Sequence, residues 1–541
     1  MTFPPPPQHD APMRGLHFLL GVLAILCCPV GAGAQEMGRC TAPAPMADVQ
    51  SSPHWTSWGN DYANSRFQPA AMAGITAADV PKLKLKWAIG FPDTSHAWSQ
   101  PTVAGGRVFV GSQGGRVFAL DAKRGCVIWT FQTQGATRTA VTIGPGEGAH
   151  RYLAYFTSIP GWLYAVDAET GVQVWRTKME EHLSARLTGS PVVHDGRLYV
   201  GAGSFEEGLS AGGKYECCSF RGSLRAFNAL TGELIWRSAM IQAPMQVLKE
   251  EKGRKVVGPS GGSIWSAPVL DEKRRLIYVT TGNGFSGPPE PLTDAIVALD
   301  LDTGQVRWSR QFGGEDIFVP GCGKPGNTNF SCPKENGPDA DFGSAPILAH
   351  LPNGRDVIVA AQKSGAVWAV DPDRRGAIVW HYQAAPRAAG EFGAIVWGQA
   401  RDGKNVYVPV SNIQDPPHAG GLHALSLATG SQVWYAPPLT PACTPGPGCT
   451  AAQASAPSVI EGVVFAGSAD GVLRAYSTRD GKVIWSADTN GEFPTVNGVK
   501  AHGGSLIGPG PTIAGGMLYV NSGYGSHQGR GGNVLLAFSV E

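Results

Sequence analysis

FALDAKRGCVIW, at 118–129, is the stretch whose recurrence decides the fold. YAVDAETGVQVW follows at 164–175, RAFNALTGELIW at 225–236 and VALDLDTGQVRW at 297–308. Three further copies are WAVDPDRRGAIVW at 368–380, HALSLATGSQVW at 423–434 and RAYSTRDGKVIW at 474–485. Each reads as an apolar strand, a tight turn in which glycine accepts positive φ, and an outer strand ending in tryptophan. One copy cannot bury its own faces, so a repeat of about four strands predicts a radial propeller rather than a sandwich. The ends supply one blade more. GNVLLAFSV near the C-terminus lacks an outer tryptophan strand, and LKLKWAIGF around Trp87 has that strand with no partner before it. Joining them predicts an all-β, eight-bladed β-propeller, closed by N- and C-terminal strands in one blade and leaving no edge open. Trp129, Trp175, Trp236, Trp308, Trp380, Trp434 and Trp485 are read as packing residues between blades.

Arg14 precedes an apolar run from Leu16 to Val30, and Ala32-Gly33-Ala34 supplies the small residues of a cleavage site. Residues 1–34 are therefore read as a signal peptide, with Met13 as an alternative start, and 35–541 as a single propeller domain. Leu26 before Cys27 is too bulky for lipoprotein processing. The run is too short to span a bilayer and no later stretch of about 18 apolar residues exists, so the expectation is a periplasmic or secreted protein that is not membrane-spanning. Two of the ten cysteines precede Gln35. Among the others, Cys322 with Cys332 and Cys443 with Cys449 are spaced like loop-closing disulfides, and Cys40 with Cys126 is a further pairing. The 73 glycines, 42 prolines and 16% charged residues suit a turn-rich β protein. A net charge of +1 gives no electrostatic reason for a nucleic-acid partner. No Cys-x-x-Cys-His predicts a haem c domain, no His or Cys cluster suits zinc, and no glycine-rich phosphate loop opens a helix.

Function is expected where blades depart from the repeat, because loops at one end of the channel converge. GAGSFEEGLSAGGKYECCSFRG at 201–222 inserts Glu206, Glu207, Glu216 and the adjacent Cys217 and Cys218. GGSIWSAPVLDEKRRLIYVTTGNGFSGPPEPLTDAIVALD at 261–300 places Trp265 outside the usual tryptophan position and opens a Gly-Asn-Gly loop at Asn283. DADFGSAPILAHLPNGRDVIVAAQKSG at 339–365 puts Lys363 in a strand-to-strand turn.

These residues resemble the PQQ-dependent quinoprotein alcohol dehydrogenases. The wording from WTSWGNDYANSRFQP at 55–69 through ECCSFRGSLRAF to NSGYGSHQGRGGNVLLAFSVE looks like the polyvinyl alcohol dehydrogenase branch of that superfamily. The resemblance implies pyrroloquinoline quinone (PQQ) and Ca2+ as cofactors. It implies Trp265 as the floor beneath the quinone, Glu206 and Asn283 as calcium ligands, Lys363 beside the quinone oxygens, and Arg138 and Thr188 as further cofactor contacts. The substrate it implies is a secondary alcohol group, of polyvinyl alcohol or a similar polyol, with a separate cytochrome c as electron acceptor. The residue types agree with the chemistry, since a hard dication takes carboxylate and carboxamide oxygens and a nearby cation stabilises a reduced quinol. A carboxylate must also remove the hydroxyl proton, and Asp294 is expected to do so, with Glu290 as its rival. Cys217 and Cys218 do not match the position of the family's vicinal disulfide, so a covering role over the cofactor and a pair of ordinary thiols both stay open. Two other functions remain open: a non-catalytic envelope scaffold of the outer-membrane assembly type, and a quinoprotein acting on sugars or small alcohols. The loops 313–338 and 436–452 are expected to set substrate choice.

Overall fold

Each copy of the repeat folds into an antiparallel four-stranded sheet, and the turn of one sheet receives the tryptophan of the sheet before it. The computed structural model describes residues 38–386, 392–526 and 528–540. The signal-peptide expectation for 1–34 lies outside the described residues. In the first blade Thr102–Ala104, Arg107–Gly111, Arg116–Asp121 and Val127–Gln132 pair in chain order. Six more sheets repeat that order at 142–178, 192–239, 269–311, 347–383, 400–436 and 458–488. The eighth is composite: Lys84–Gly90 pairs with Val534–Ser539, followed inward by Met517–Ser522 and Thr512–Ala514. The eight-bladed propeller closes through its two ends, as the orphan strands predicted.

A single register device repeats in all eight blades. The outer strand bulges just before its tryptophan, which then stands opposite an alanine, as Trp129 does to Ala119, Trp175 to Ala165 and Trp87 to Ala537. A methyl group opposite the indole leaves the ring free to lie across the next blade. Trp129 lands on Gly171, Trp175 on Gly232 and Trp87 on Gly125. Gly171 has φ +76°, and a Cβ there would stand 2.7 Å from Trp129 Cδ2. The indole Nε1 of Trp129 donates to the Ala168 carbonyl at 3.1 Å, so the same turn accepts both the face and the edge of the ring. Asp167 fixes that turn by accepting from the Glu169 and Thr170 amides.

The innermost strands present a ring of unpaired edges to the channel, and residues 55–68 satisfy them in turn. Trp55 exchanges hydrogen bonds with Val103 of the first blade, and Thr56 accepts from Ile143 of the second. Tyr62 packs its ring on His194 of the third at 5.1 Å and accepts from Leu270 of the fourth. Ala63, Ser65 and Arg66 accept from Leu348, Arg401 and Val459 of the next three, and the Gln68 side chain donates to Ile513 of the eighth. At the centre the buried Arg66 guanidinium donates to the carbonyls of Pro457 and Trp58, to Gln100 Oε1 and to Ser458 Oγ. One segment thus touches every blade and crosses one end of the channel.

Cys40–Cys126, Cys322–Cys332 and Cys443–Cys449 are disulfides, as the spacing suggested. Cys217 and Cys218 are also joined, which removes the reading of two ordinary thiols. Among the described residues no helix is long and apolar enough to cross a membrane.

The tryptophan dock makes a direct prediction. Gly171→Ala should lower the denaturant midpoint by the equivalent of about 2–4 kcal/mol, because steric overlap adds to the left-handed backbone penalty. Gly148→Ala, at φ +60° with open space around it, should cost only about 1 kcal/mol. Equal losses in the two variants would show that the indole contact contributes nothing.

Candidate active site

At the opposite end of the channel from residues 55–68, inter-blade loops enclose a cavity of about 530 Å3. Arg138, Thr188, Trp265, Asn283 and Lys363 all line it. They arrive from different places: Arg138, Thr188 and Trp265 from the links before the second, third and fourth blades, Asn283 from a loop within the fourth, and Lys363 from a turn within the fifth.

Trp265 forms a flat wall because the backbone around it lacks side chains. A Cβ on Gly343 would stand 2.3 Å from its Cη2, and one on Gly282 would stand 3.5 Å from its Nε1. Thr188 Oγ1 donates to the Trp265 carbonyl at 3.2 Å. Trp397 meets Trp265 edge-on with centroids 5.7 Å apart, and the Arg138 guanidinium lies 4.2 Å over the Trp397 ring. Arg138 Nη2 is sealed from solvent with no hydrogen-bond partner among the described residues. Arg186 lines the same side of the cavity.

Acids line the same cavity. Lys363 Nζ pairs with Asp339 at 2.7 Å and Asp341 at 2.9 Å, and lies 5.7 Å from the Trp265 centroid. Burial works against the charge of Lys363, but the two carboxylates outweigh it and raise its pKa. Burial raises the Asp339 pKa more than Lys363 lowers it. Asp341 Oδ1 also accepts from the Asn283 amide at 2.6 Å. Asn283 spends its own side-chain nitrogen on the Gly284 carbonyl at 3.0 Å, so its carboxamide oxygen remains to accept. Glu207, at the start of the short helix Glu206–Ser210, lines the cavity with Oε2 buried and unpartnered. Burial pushes its pKa up to about 8.

Several expected site residues do not reach this cavity. Glu206 is fully buried, and its carboxylate accepts from the Ser219 and Phe220 amides and the Tyr215 hydroxyl at 2.7–3.0 Å. Burial opposes its charge, but His182 and the Phe220 and Ser219 amides outweigh that and hold its pKa below the usual range. With its oxygens thus engaged, Glu206 is not placed to hold an ion, and its neighbour Glu207 takes the cavity-facing position. Asp294 is completely buried off the cavity wall, and burial together with Asp316, Asp341 and Asp339 raises its pKa well above normal. Buried off the wall, its carboxyl does not reach a hydroxyl held in the cavity. Glu290 is anchored on the Gln242 and Ala243 amides, also away from the cavity. Cys217 and Cys218 sit in an apolar cluster with Phe220, Phe285 and Val319. Phe285 lines the cavity and the disulfide does not, so it offers no direct cover to a ligand. Of the two entrance loops, 313–338 contributes Phe318 and Pro320, while 436–452 contributes no lining residue.

A family model described as "Glucose/ethanol/alcohol dehydrogenase, beta-propeller domain" matches residues 55–319, and one described as "Outer membrane protein assembly factor BamB" matches 220–468 and 418–541. Polyvinylalcohol dehydrogenase of a Pseudomonas species is 42% identical over 519 residues, which cover 93% of this chain and 79% of that protein. That of Sphingopyxis sp. (strain 113P3) is 40% identical, covering 93% and 78%. The chain belongs to the quinoprotein alcohol dehydrogenase family. Among solved structures, a quinohemoprotein alcohol dehydrogenase of Pseudomonas putida superposes with a TM-score of 0.69 at 18% identity, covering 94% of this chain and 83% of that one. A europium-containing methanol dehydrogenase gives 0.67 at 18% identity, covering 91% and 99%. These likenesses agree with the eight-bladed fold.

This quinoprotein alcohol dehydrogenase uses PQQ, a planar tricarboxylate, and the cavity fits such a group. Trp265 offers the flat face, and Arg138 offers an unspent guanidinium nitrogen for a carboxylate, with Arg186 beside it. Of the residues that the resemblance implied, the structure brings Trp265, Asn283, Lys363, Arg138 and Thr188 to one cavity; Glu207, Asp339, Asp341, Arg186 and Trp397 line it too and were not among the expected site residues. Asp339 and Asp341 stood in the same deviating stretch as Lys363, and only the pairing of that turn with the preceding link brings all three together.

Lys363→Met leaves two buried carboxylates facing each other. The variant should lose about 3 kcal/mol or more of stability near neutral pH. Asp339, whose pKa burial already raises, can escape by taking up a proton, so the deficit should shrink from about pH 8 to about pH 5 in urea titrations. A deficit that grows as the pH falls would contradict the pairing described here.

Proposed function

We propose that this dehydrogenase oxidises secondary alcohol groups of polyvinyl alcohol or a similar polyol, with calcium held by Glu207 and Asn283 beside PQQ. Electrons would pass to a separate cytochrome c after export to the periplasm or beyond. The observation that carries the reading is the buried, unpartnered Glu207 Oε2 facing the same cavity as Asn283, Asp341 and Lys363 around Trp265. The relatives named for polyvinyl alcohol support the substrate, at 40–42% identity over nearly the whole chain.

When bound, PQQ supplies the two-electron acceptor and calcium polarises its carbonyl. The protein's residues do the rest. Trp265 would support the flat face of the group, and Arg138 and Arg186 would take its carboxylates. Lys363 brings a fixed positive charge to the cavity beside Trp265 and holds Asp341 by an ion pair. Asp341 is the base, because its carboxylate reaches the cavity and is oriented from both sides, by Lys363 and by the Asn283 amide. Phe205, Phe318 and Phe392 line the mouth and exclude water from the reacting hydroxyl.

Reconstitution with PQQ, calcium and an artificial acceptor tests the reading. Dye reduction should require both cofactors, and Asp341→Asn should lower kcat about a thousandfold while PQQ absorbance still titrates in. Asn283→Ala should abolish dye reduction at calcium concentrations that saturate the wild type. Undiminished turnover in Asp341→Asn would move the base elsewhere, and failure to bind PQQ at millimolar calcium would favour an envelope scaffold.

Calcium binding should also depend on pH. In the calcium-free protein the pKa of Glu207 is raised from 4.5 to about 8. Its neutral carboxyl therefore favours the folded state fully below 4.5, and that advantage is lost as pH rises through about 8. Calcium needs the ionised form, so its affinity should rise about tenfold per pH unit between about pH 6 and 8, with proton release seen by calorimetry in two buffers. In Glu207→Gln both the slope and the released proton should disappear.

A further inference from the structure

Beside the cavity, an apolar strip extends from Phe205 to residues that the chemistry above does not use. Leu183 is 71% exposed, Phe205 41% and Leu209 42%. Of the other exposed large apolar residues, Leu234, Ile235, Val433 and Val483 lie on the outer strands of blades. Phe205 itself lines the cavity, whereas Leu183 and Leu209 do not.

The strip is built rather than incidental. The Phe205 ring lies against Gly208, where a Cβ would meet its Cζ at 2.2 Å, and the Arg186 guanidinium lies 4.8 Å over the ring. Leu209 follows Phe205 by four residues with its amide bonded to the Phe205 carbonyl at 3.2 Å, which places both on one side of the short helix. The Phe205 amide donates to the Ser184 carbonyl at 3.1 Å, and Ala185 bridges Ser204. Leu183 is therefore next in line along the segment that flanks Phe205. The same helix carries Glu207 into the cavity, so the strip is rigidly tied to the reacting site.

We propose that Leu183, Phe205 and Leu209 form a rail for the non-reacting units of a polymeric secondary alcohol. This rests on the substrate reading given above. Such a polymer presents methylene groups along its backbone and a hydroxyl on alternate carbons. Its methylene face can lie on the three side chains while neighbouring hydroxyls stay in water or reach Arg186. One unit then enters past Phe205 to Asp341. A small alcohol has no such units and gains nothing from the rail.

The test compares Leu183→Ser/Leu209→Ser with the wild type as PQQ- and calcium-loaded enzymes. Polyvinyl alcohol and pentane-2,4-diol, the two-unit fragment of the polymer, are assayed side by side. The double variant should raise KM for the polymer about tenfold with kcat kept, the signature of lost uniform binding. Its kinetics on the diol should stay within about twofold of wild type, which also reports that the site is intact. An unchanged polymer KM overturns the rail, and so does an equal loss on both substrates. A wild-type enzyme that oxidises the diol but not the polymer would instead refute the substrate reading, a result visible before any variant is made.

Discussion

The ring is held by one contact made over and over, an indole face laid on a turn that has no Cβ. Each tryptophan buries its large apolar surface only if the next blade is present, at about 25 cal/mol per Å2 removed from water. No blade therefore completes its own core. Such an arrangement is stable only when the last blade also finds a neighbour, and the pairing of Lys84–Gly90 with Val534–Ser539 provides it. The alanine opposite each tryptophan and the glycine beneath all but Trp485, which docks at Leu83 instead, are two halves of one requirement. The first lets the ring leave its own sheet and the second lets it arrive.

That closed ring places loops from several blades around a cavity lined by both signs of charge. Arg138, Arg186 and Lys363 line it together with Glu207, Asp339 and Asp341, and Trp265 supplies a flat wall. Behind these acids lie Asp294 and Asp316, the second pushed up to about 6 by burial. Five acids against Lys363 would be prohibitive if all were ionised in a dry interior. The raised values of Asp294, Asp316, Asp339 and Glu207 show how the protein relieves the strain without a ligand. A cation beside Glu207 relieves it in another way. A ligand that carries anionic groups would find its partners in the two arginines.

The propeller was legible in the sequence because its cause is local: strand, turn glycine and tryptophan recur within a dozen residues. Blade closure was legible for the same reason, each end carrying half of the pattern. Site residues were legible only where a deviation isolated a single unusual side chain, as with Trp265, Asn283 and Lys363. Where two acids stood together, spacing could not say which one faces the cavity. Glu206 and Glu207 differ by one residue, and the choice depends on Ser219 and Phe220, whose amides claim Glu206. Asp294 looked like a base because it is an acid near the Gly-Asn-Gly loop. Its burial follows from three-dimensional packing that no local pattern records.

Residues 55–68 have a bearing on traffic as well as on stability. Among the described residues, Arg66 and Trp58 cross the end of the channel away from the cavity, which makes the channel a well rather than a tunnel. Long molecules cannot be threaded through the ring as a strand passes through a sliding clamp. Whatever is oxidised must dip in from one face and withdraw by the same route. Turnover then becomes a matter of taking turns at one opening.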